Sequence, residues 1–487
     1  MTAAPSAMNQ NDSKSLFVDL DKSLISTDTL WESMIVLFKG HPFALFKVPF
    51  WLLKGKAGFK NEIAKRVIPD AALLPYRENV VSLIQERRDK GADVILATAA
   101  NERIAHAVSN HLDLFTSVLA SDASTNLSGS RKSSAICEAS ANEDFEYIGD
   151  TWVDVPIWKK AQSAIIVDGP RRLISSLKRE MPVRELSGQH RSTLFTLVRA
   201  MRCHQWIKNI LIFVPMILAH QVIDFSHWMA VCIAFICFSL IASSVYVVND
   251  ILDIESDRSH PQKKKRPFAA GELQIKTGVI LAGILFGLGV GVSTYFISST
   301  FGFMAASYAI VSFAYSSYFK QQPILDLLLL AGFYTYRVVL GGAALPDAPV
   351  SEWLYGFSVF FFMSLAMVKR YADLLELEKI GQTEAKGRYY TAQDLPLFCS
   401  LGPATGCMSI FVLAMYLTSE KVTTIYDKPM ILWFICPTLF YWIARVWFLA
   451  IRGELSHDPI VFALRDKISY AVAILSGCFL LLADPKF

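Results

Sequence analysis

Long apolar runs fill the second part of this 487-residue chain, whereas residues 1–200 alternate apolar and polar side chains as a water-soluble domain does. Backbone that crosses a bilayer must satisfy its own hydrogen bonds, and about 20 apolar residues in a row can do so as a helix. The runs lie at residues 206–223, 228–248, 278–298, 301–319, 324–344, 353–369, 395–417, 429–450 and 467–484. The sequence therefore predicts an all-α integral membrane domain of nine transmembrane helices behind a soluble domain.

Lysine and arginine gather in alternate loops between these runs. The basic loops hold Lys263–Arg266, Lys320, Lys369, Arg370, Lys379, Lys386, Arg388, Arg452, Arg465 and Lys467, and the opposite loops only Lys421 and Lys428. Cytoplasmic loops carry this excess of positive charge, and residues 1–14 lack the apolar core of a secretory signal peptide. We expect an integral protein of the inner (cell) membrane, with its N-terminal domain and active sites in the cytoplasm.

Overall composition excludes some classes of function. The net charge is only +4, so there is no nucleic-acid-binding footprint. Of the eight cysteines, seven lie at or after Cys203 and none forms a Cys-x-x-Cys pair. They are interpreted as buried thiols and not as a disulfide framework or a zinc site.

Short apolar runs in the soluble part end in acids or a hydroxyl. The first run begins at Leu16 and leads into Asp19 and Asp21. Residues 93–98 end in Thr98, and two further runs end in Asp150 and Asp168. Helical patterns separate them. Strands that alternate with helices predict an α/β sheet whose site lies at the carboxyl ends of its strands.

The ordered set Asp-x-Asp, Thr, Lys, Gly-Asp-x-x-x-Asp resembles the haloacid dehalogenase-like (HAD-like) phosphohydrolases. The resemblance implies a Rossmann-like domain at 14–185 with a helical cap at about 28–85, followed by a linker at 186–200 and the membrane domain at 201–487. It also implies a role for each matching residue. Asp19 would be the nucleophile and Asp21 the acid/base, and Thr98 and Lys132 would bind the phosphoryl oxygens. Asp19, Asp21 and Asp150 would bind Mg²⁺, and Asp154 would support the metal or pair with Lys132. One departure is Lys22-Ser23, where Gly-Thr is commoner.

Residues 43–54 form an aromatic, lysine-flanked stretch inside the predicted cap. The stretch is too short and too interrupted to span a bilayer. It is either core of the cap or a membrane-surface segment that guides a lipid-linked phosphate to Asp19.

A cluster of acids follows the second apolar span. Asp250, Asp253 and Asp257 are spaced i, i+3 and i+7, so a helix places them on one face. Carboxylates at this density suit Mg²⁺ together with substrate phosphates. The basic residues from Arg258 to Arg266 could hold the outer oxygens of a diphosphate. The simpler reading is a solvated loop that obeys the positive-inside rule.

The pattern Asn-Asp-x-x-Asp-x-x-x-Asp-Arg from Asn249 to Arg258 resembles the first signature of the UbiA superfamily of intramembrane prenyltransferases. Four further motifs resemble its decaprenyl-phosphate phosphoribosyltransferase branch: Gln205-Trp206-x-Lys208-Asn209, Tyr315-Ser316-x-x-x-Lys320, Lys369-Arg370-Tyr371-Ala372-Asp373 and Gly387-Arg388-x-Tyr390. The resemblance covers residues 195–485. In place of the usual second Asp-x-x-x-Asp, this chain has Asp373-x-x-Glu376.

This second resemblance implies Mg²⁺, phosphoribosyl pyrophosphate as donor and polyprenyl phosphate as acceptor. The acids Asp250, Asp253 and Asp257 would bind the metal. The substrate-binding residues would be Lys208, Asn249, Arg258, Lys264, Arg266, Tyr315, Lys320, Arg337, Lys369, Arg370, Asp373 and Arg388.

The expected protein is a bifunctional membrane enzyme that transfers 5-phosphoribose to polyprenyl phosphate and whose soluble domain removes the 5-phosphate of the product. One alternative is a prenyltransferase that uses polyprenyl diphosphate and an aromatic or isoprenoid acceptor. Another is a non-enzymatic lipid carrier or flippase. The sequence leaves open the lipid chain length and whether the protein forms a homo-oligomer.

Overall fold

The computed structural model describes residues 14–140, 144–186, 192–219, 224–345, 351–379, 389–455 and 459–483. The chain divides into two compact units. Unit 1 comprises Met1–Met201 and Val247–Leu281, and unit 2 comprises Arg202–Tyr246 and Ala282–Phe487. The segment 247–281, which by sequence lies within the predicted membrane domain, thus packs with the α/β domain.

A six-stranded parallel sheet forms the centre of unit 1, in the order β3-β2-β1-β4-β5-β6. The strands are β1 Ser15–Val18, β2 Val94–Asn101, β3 Ser117–Ser121, β4 Phe145–Gly149, β5 Ser163–Val167 and β6 Val183–Leu186. The predicted α/β domain is confirmed. Strands β3 and β6 were not predicted, because these edge strands are partly exposed and lack a continuous apolar run.

Apolar cores cover both faces of the sheet, as a parallel sheet requires. Alternate residues of β1 point to opposite faces: Leu16 and Val18 join one core, and Phe17 joins the other beside Phe145 and Trp158. The strand order reverses between β1 and β4. Ligands of such sheets bind outside the carboxyl ends at this reversal.

Within the described residues, the sheet is accompanied by α1 Thr29–Gly40, α2 Val48–Leu52, α3 Gly55–Ala64, α4 Glu78–Asp89, α5 Glu102–Leu112, α6 Ser130–Ala139, α7 Val155–Trp158, α8 Arg171–Leu177 and α9 Thr193–Met201. Helices α1–α3 lie within the range predicted as the cap, a name kept for them below, and share a small core around Leu37, Trp51 and Ile63. The rest of the aromatic stretch faces outward, with Phe43 and Phe46 80% and 77% exposed. Trp51 therefore belongs to the core of the cap, and the membrane-surface role of the exposed aromatic residues stays a prediction.

The remaining helices are α10 Val214–Leu218, α11 Phe225–Leu252, α12 Ile254–Arg258, α13 Ile275–Phe296, α14 Ser299–Ser317, α15 Leu325–Ala343, α16 Glu352–Lys379, α17 Leu395–Leu417, α18 Glu420–Ile425, α19 Ile435–Ile451, α20 Pro459–Ala463 and α21 Lys467–Ala483. In the described part of the chain, five helical segments are long and apolar enough to cross a membrane: Phe225–Leu252, Ile275–Phe296, Leu325–Ala343, Ala392–Leu417 and Pro429–Ile451. The other predicted spans coincide with helices that are shorter or more polar, so the number nine is not confirmed.

Candidate active sites

Asp19 lies directly after β1, at the reversal of strand order. Its Oδ1 accepts hydrogen bonds from Lys132 Nζ at 2.8 Å and from the backbone N–H of Leu20 at 2.9 Å. Burial raises the pKa of the Asp19 carboxyl, and the positive charge of Lys132 opposes that rise. Both bonds fall on Oδ1, so Oδ2 is the oxygen available for nucleophilic attack.

Lys132 is joined to Asp154 through a tyrosine that the motifs did not single out. Lys132 Nζ donates to the hydroxyl of Tyr147 at 2.7 Å, and that hydroxyl donates to Asp154 Oδ1 at 2.9 Å. The predicted direct pairing of Lys132 with Asp154 is replaced by this bridge. Gly149 makes room for the bridge, since a Cβ there would lie 2.7 Å from Tyr147 Cε1 and 2.9 Å from Asp154 Oδ2.

Three carboxylates, those of Asp19, Asp150 and Asp154, present oxygens within 4.8 Å of one another. Burial raises the pKa of Asp150 to about 8, and the negative charges of Asp19 and Asp154 add to the rise. Carboxylates that raise one another's pKa are stabilised by a cation, and an oxygen-only donor set is the one that Mg²⁺ prefers. The residues present therefore fit Mg²⁺.

Asp21, the second acid of the motif, was also predicted as a metal ligand, but its side chain does not belong to this group of three, which contains Asp154 instead. Asp21 Oδ1 accepts a hydrogen bond from the backbone N–H of Thr29 at 2.7 Å. Burial, followed by the charge of Asp28, raises the pKa of Asp21 to about 7. An acid with this pKa can hold a proton at neutral pH, as a general acid must.

Thr98 is fully buried in β2, close to a lysine of the cap. Lys60 of α3 donates to the carbonyl of Ala99 at 2.7 Å. Burial lowers the pKa of Lys60, and the negative charges of Asp21, Asp28 and Asp19 partly offset that fall. Lys60 matches no motif, so only its position in the folded cap identifies it as a candidate site residue.

In the acidic segment, an arginine lies between two of the three acids. Arg266 Nη1 donates to Asp250 Oδ1 at 3.1 Å and to Asp257 Oδ2 at 2.6 Å. Asp253, partly exposed, separates α11 from α12. Asn249 Oδ1 is buried and has no hydrogen-bond partner among the described residues. Among the described residues, the acids whose oxygens lie within 4.8 Å of one another are Asp19, Asp150 and Asp154, so the structure does not bring Asp250, Asp253 and Asp257 together in such a group. Their oxygen donors are nevertheless of the kind that Mg²⁺ prefers.

Two other predicted diphosphate ligands of this segment lie in contrasting surroundings. Arg258 forms a buried ion pair with Glu32 of α1, with Nη2 2.6 Å from Oε1, and its Nε donates to the carbonyl of Ala269. Lys264 is exposed in the turn Lys263–Lys265. Arg258 therefore joins the acidic segment to the cap in this structure.

In unit 2, Arg370 and Tyr315 converge on Asp326, which is fully buried. Arg370 donates from Nε to Asp326 Oδ2 at 2.7 Å and from Nη2 to Oδ1 at 2.9 Å, and the Tyr315 hydroxyl donates to Oδ1 at 2.6 Å. Asp373 accepts a longer bond, 3.3 Å, from Arg370 Nη1. The predicted residues Tyr315, Arg370 and Asp373 thus form one network with Asp326.

A second network in unit 2 surrounds Arg337. Its Nε donates to Asn209 Oδ1 and its Nη2 to the hydroxyl of Tyr308, each at 2.9 Å. Lys208 Nζ and the Arg337 guanidinium both approach the ring of Tyr334, at 5.9 and 5.3 Å from its centroid. The motif residues Lys208 and Asn209 therefore meet Arg337 from a different helix.

Three predicted ligands remain. Lys320 and Lys369 are half-buried, in the turn Phe319–Gln321 and in α16 respectively. Arg388 lies outside the described residues.

Comparison with known proteins agrees with the motifs found in residues 195–485. Residues 210–465 match the UbiA prenyltransferase family. The uncharacterized protein y4nM of Sinorhizobium fredii is 34% identical over 470 residues, covering 96% of this chain and 90% of that protein. The decaprenyl-phosphate phosphoribosyltransferase of Mycolicibacterium smegmatis is 29% identical over 290 residues, covering 58% of this chain and 90% of that enzyme.

Among solved structures, the α/β domain has a HAD-family hydrolase of Salmonella enterica as a neighbour. The TM-score is 0.28 at 12% sequence identity, and the match covers 37% of this chain and 69% of the hydrolase.

Proposed function

Because the chain belongs to the UbiA prenyltransferase family, as its Asp-rich motif predicted, we propose that it transfers 5-phosphoribose from phosphoribosyl pyrophosphate to polyprenyl phosphate. The α/β domain then removes the 5-phosphate of the lipid-linked product. One observation carries the coupling: segment 247–281, with Asp250 and Asp257, forms a single compact unit with the α/β domain. Two consecutive activities on one chain raise the local concentration of their shared intermediate.

The transfer is a displacement at the anomeric carbon of ribose. An oxygen of the polyprenyl phosphate bonds to C1, and the C1–O bond to diphosphate breaks, the diphosphate leaving with the electron pair. Bound Mg²⁺ would neutralise charge on that leaving group. Its proposed ligands are Asp250, Asp253 and Asp257, with Asn249 as a substrate-binding residue.

The basic residues that the motif resemblance implied as substrate ligands bind the substrate phosphates. Arg266, which contacts Asp250 and Asp257, can turn to the diphosphate when that anion arrives, with Lys264 beside it in sequence. We assign the 5-phosphate and the acceptor phosphate to Lys208, Tyr315, Lys320, Lys369 and Arg388. Arg337 and Arg370, held by Asn209 and Asp326, keep these residues in position.

Hydrolysis proceeds at Asp19. Its Oδ2 attacks the phosphorus of the 5-phosphate, and the bond from phosphorus to O5 breaks. Asp21 gives its proton to O5. Asp21 then takes a proton from water, which attacks the aspartyl phosphate, releases inorganic phosphate and restores Asp19. Lys132 and Thr98 hold the phosphoryl oxygens, and Mg²⁺ at Asp19, Asp150 and Asp154 would offset their charge.

The orientation of the protein belongs to the same proposal. The excess of basic residues in alternate loops supports a cytoplasmic location, at the inner membrane, for the acidic segment and the α/β domain. The exposed aromatic residues Phe43, Phe46 and Phe50 of the cap then insert at the lipid surface, with Lys47 and Lys54 near the headgroups.

The test uses purified full-length protein, labelled phosphoribosyl pyrophosphate and polyprenyl phosphate. Wild type should yield dephosphorylated lipid-linked ribose, and Asp19→Asn should accumulate its 5-phosphate. Asp250→Asn and Asp253→Asn should abolish lipid labelling, whereas a carrier or flippase would tolerate them. Absence of labelled lipid, with activity on polyprenyl diphosphate and an aromatic or isoprenoid acceptor, would instead establish the prenyltransferase alternative.

A further inference from the structure

A polar cavity of ≈ 410 Å³ lies beside the phosphohydrolase site. Lys22 and Asp150 line it on the side of the catalytic acids, and Arg77 and Thr196 line it elsewhere. Asp150 belongs to the proposed metal group, so the cavity borders the position of the reacting phosphate. A substrate that places its phosphate at Asp19 therefore has room for a second polar group in this cavity.

Segment 247–281 contributes one wall of the cavity, through Ala270, Gly271, Glu272 and Gln274. Gly271 is packed so closely that a Cβ there would lie 1.9 Å from Ser26 Oγ, and its φ is +67°. Gln274 donates to the carbonyl of Ser26 at 2.9 Å. The wall therefore packs against Ser26, in the turn that follows the Asp-x-Asp motif.

Lys22 occupies a backbone conformation that favours glycine. Its φ is +62° and its ψ is −5°, in the left-handed region that side chains with a Cβ rarely adopt. Strained residues of this kind cluster at functional sites, because their side chains are needed there. The residue that replaces the commoner glycine of the motif is thus a cation that lines the cavity.

The other charges around the cavity are engaged. Arg77 pairs with Asp168, and Glu272 pairs with Arg199 at 2.6 Å. Asp150 belongs to the metal group. Among the described residues that line the cavity, Lys22 is a cation that forms no salt bridge within 4.0 Å, and its charge acts on the carboxyl of Asp150. A lysine ammonium in this setting attracts an anion that the substrate supplies.

We propose that the cavity receives a second anionic group of the substrate, the phosphodiester at C1 of the 5-phosphorylated ribose, and that Lys22 recognises it. The inference rests on the proposed hydrolysis at Asp19 and names the class of substrate that this site selects: a sugar phosphomonoester that also carries a phosphodiester. Lys22 is a specificity residue, and segment 270–274 gives the cavity its shape.

The experiment compares two soluble probes that differ only in charge at C1: ribose 5-phosphate with a methyl phosphodiester at C1, and methyl riboside 5-phosphate. Full-length wild type should prefer the diester in kcat/KM. Lys22→Gly relieves the backbone strain and removes the charge, so it should lower this preference by about tenfold, the effect of one charge-assisted hydrogen bond. Lys22→Arg should retain most of the preference. Lys90→Gly, at an exposed lysine that does not line the cavity, should leave it unchanged.

An unchanged preference in Lys22→Gly would overturn the inference while leaving the phosphohydrolase proposal intact. So would a wild type that hydrolyses both probes equally. A wild type that hydrolyses neither probe would overturn the phosphohydrolase proposal and this inference with it. Thermal unfolding of Lys22→Gly at or above the wild-type temperature would show that any lost preference does not come from unfolding.

Discussion

Arg258 and Glu32 lie 226 residues apart in sequence and form a two-pronged ion pair, with Nη2–Oε1 and Nη1–Oε2 separations of 2.6 and 3.2 Å. Their side chains are only 7% and 4% exposed. The pair joins the end of the acidic segment to the first helix of the cap. Breaking a buried pair from one side leaves an uncompensated charge.

Glu32→Gln should therefore destabilise unit 1 by about 3–5 kcal/mol. Thermal unfolding followed by protease sensitivity of the α/β domain measures this loss. A double variant, Glu32→Leu with Arg258→Met, should recover most of the stability, because it removes both charges. Glu180→Gln, which breaks the exposed pair with Lys159, is the control and should change little. Equal effects of the two glutamine variants would contradict the assignment.

Asp28→Asn should shift the alkaline limb of the phosphatase pH profile to lower pH. Burial and the Asp28 charge raise the pKa of Asp21 to about 7, so Asp21 holds its proton below that pH and loses it above. Asparagine can still cap α1 through its side-chain oxygen, but it removes the charge, so the pKa of Asp21 falls. The measurement is kcat/KM against pH. Asp70→Asn, at another capping aspartate, should leave the profile in place.

Gly149→Ala should impair phosphatase activity about 100-fold, since displacement of catalytic groups by an ångström has that effect. The new Cβ would press on Tyr147 and Asp154, which connect to Lys132. Labelling of lipid by the transferase should persist in this variant. Gly40→Ala is the matched control, because nothing lies within 4 Å of its added Cβ. Full phosphatase activity in Gly149→Ala would refute the role given to this close contact.

Arg370→Lys should destabilise unit 2 by ~2 kcal/mol, because lysine cannot bond to both carboxylate oxygens of Asp326 at once. Arg445 makes a similar two-pronged contact with Asp466, at 2.7 and 3.0 Å, but the pair is partly exposed. Arg445→Lys should therefore lower stability by less than ~1 kcal/mol. Thermal unfolding in detergent measures the stability loss of each variant. A larger loss in Arg445→Lys than in Arg370→Lys would contradict the importance of burial.

Replacing Phe43, Phe46 and Phe50 by serine should slow hydrolysis of a lipid-linked 5-phosphate in vesicles by about tenfold or more, since burial of each aromatic ring in lipid is lost. Hydrolysis of a soluble sugar phosphate should be nearly unaffected, because all three side chains are at least 69% exposed. Ile68→Ser, at a less exposed apolar residue of the same unit, is the control. Equal losses on both substrates would argue against a membrane-surface role.

Much of the α/β domain follows from local patterns in the sequence. An apolar run that ends in a carboxylate predicts a buried parallel strand and also the edge at which its acid lies, which is how Asp19 and Asp150 could be placed together. Edge strands β3 and β6 escaped prediction because partial exposure removes the apolar signal. Tyr147 and Lys60 were not predicted as site residues because neither belongs to a motif. Their hydrogen bonds form only when helices and strands that are distant in sequence pack together.

The sequence by itself determined the two-part organisation, the parallel sheet and the positions of the apolar helices, because periodicity and hydropathy act over a few residues. Only the tertiary structure decided the partners of the charges. Arg258 pairs with Glu32, Arg370 with Asp326 and Arg266 with two acids. A buried charge pairs with whichever counterion folding brings near it, and no local sequence pattern encodes which distant residue that will be.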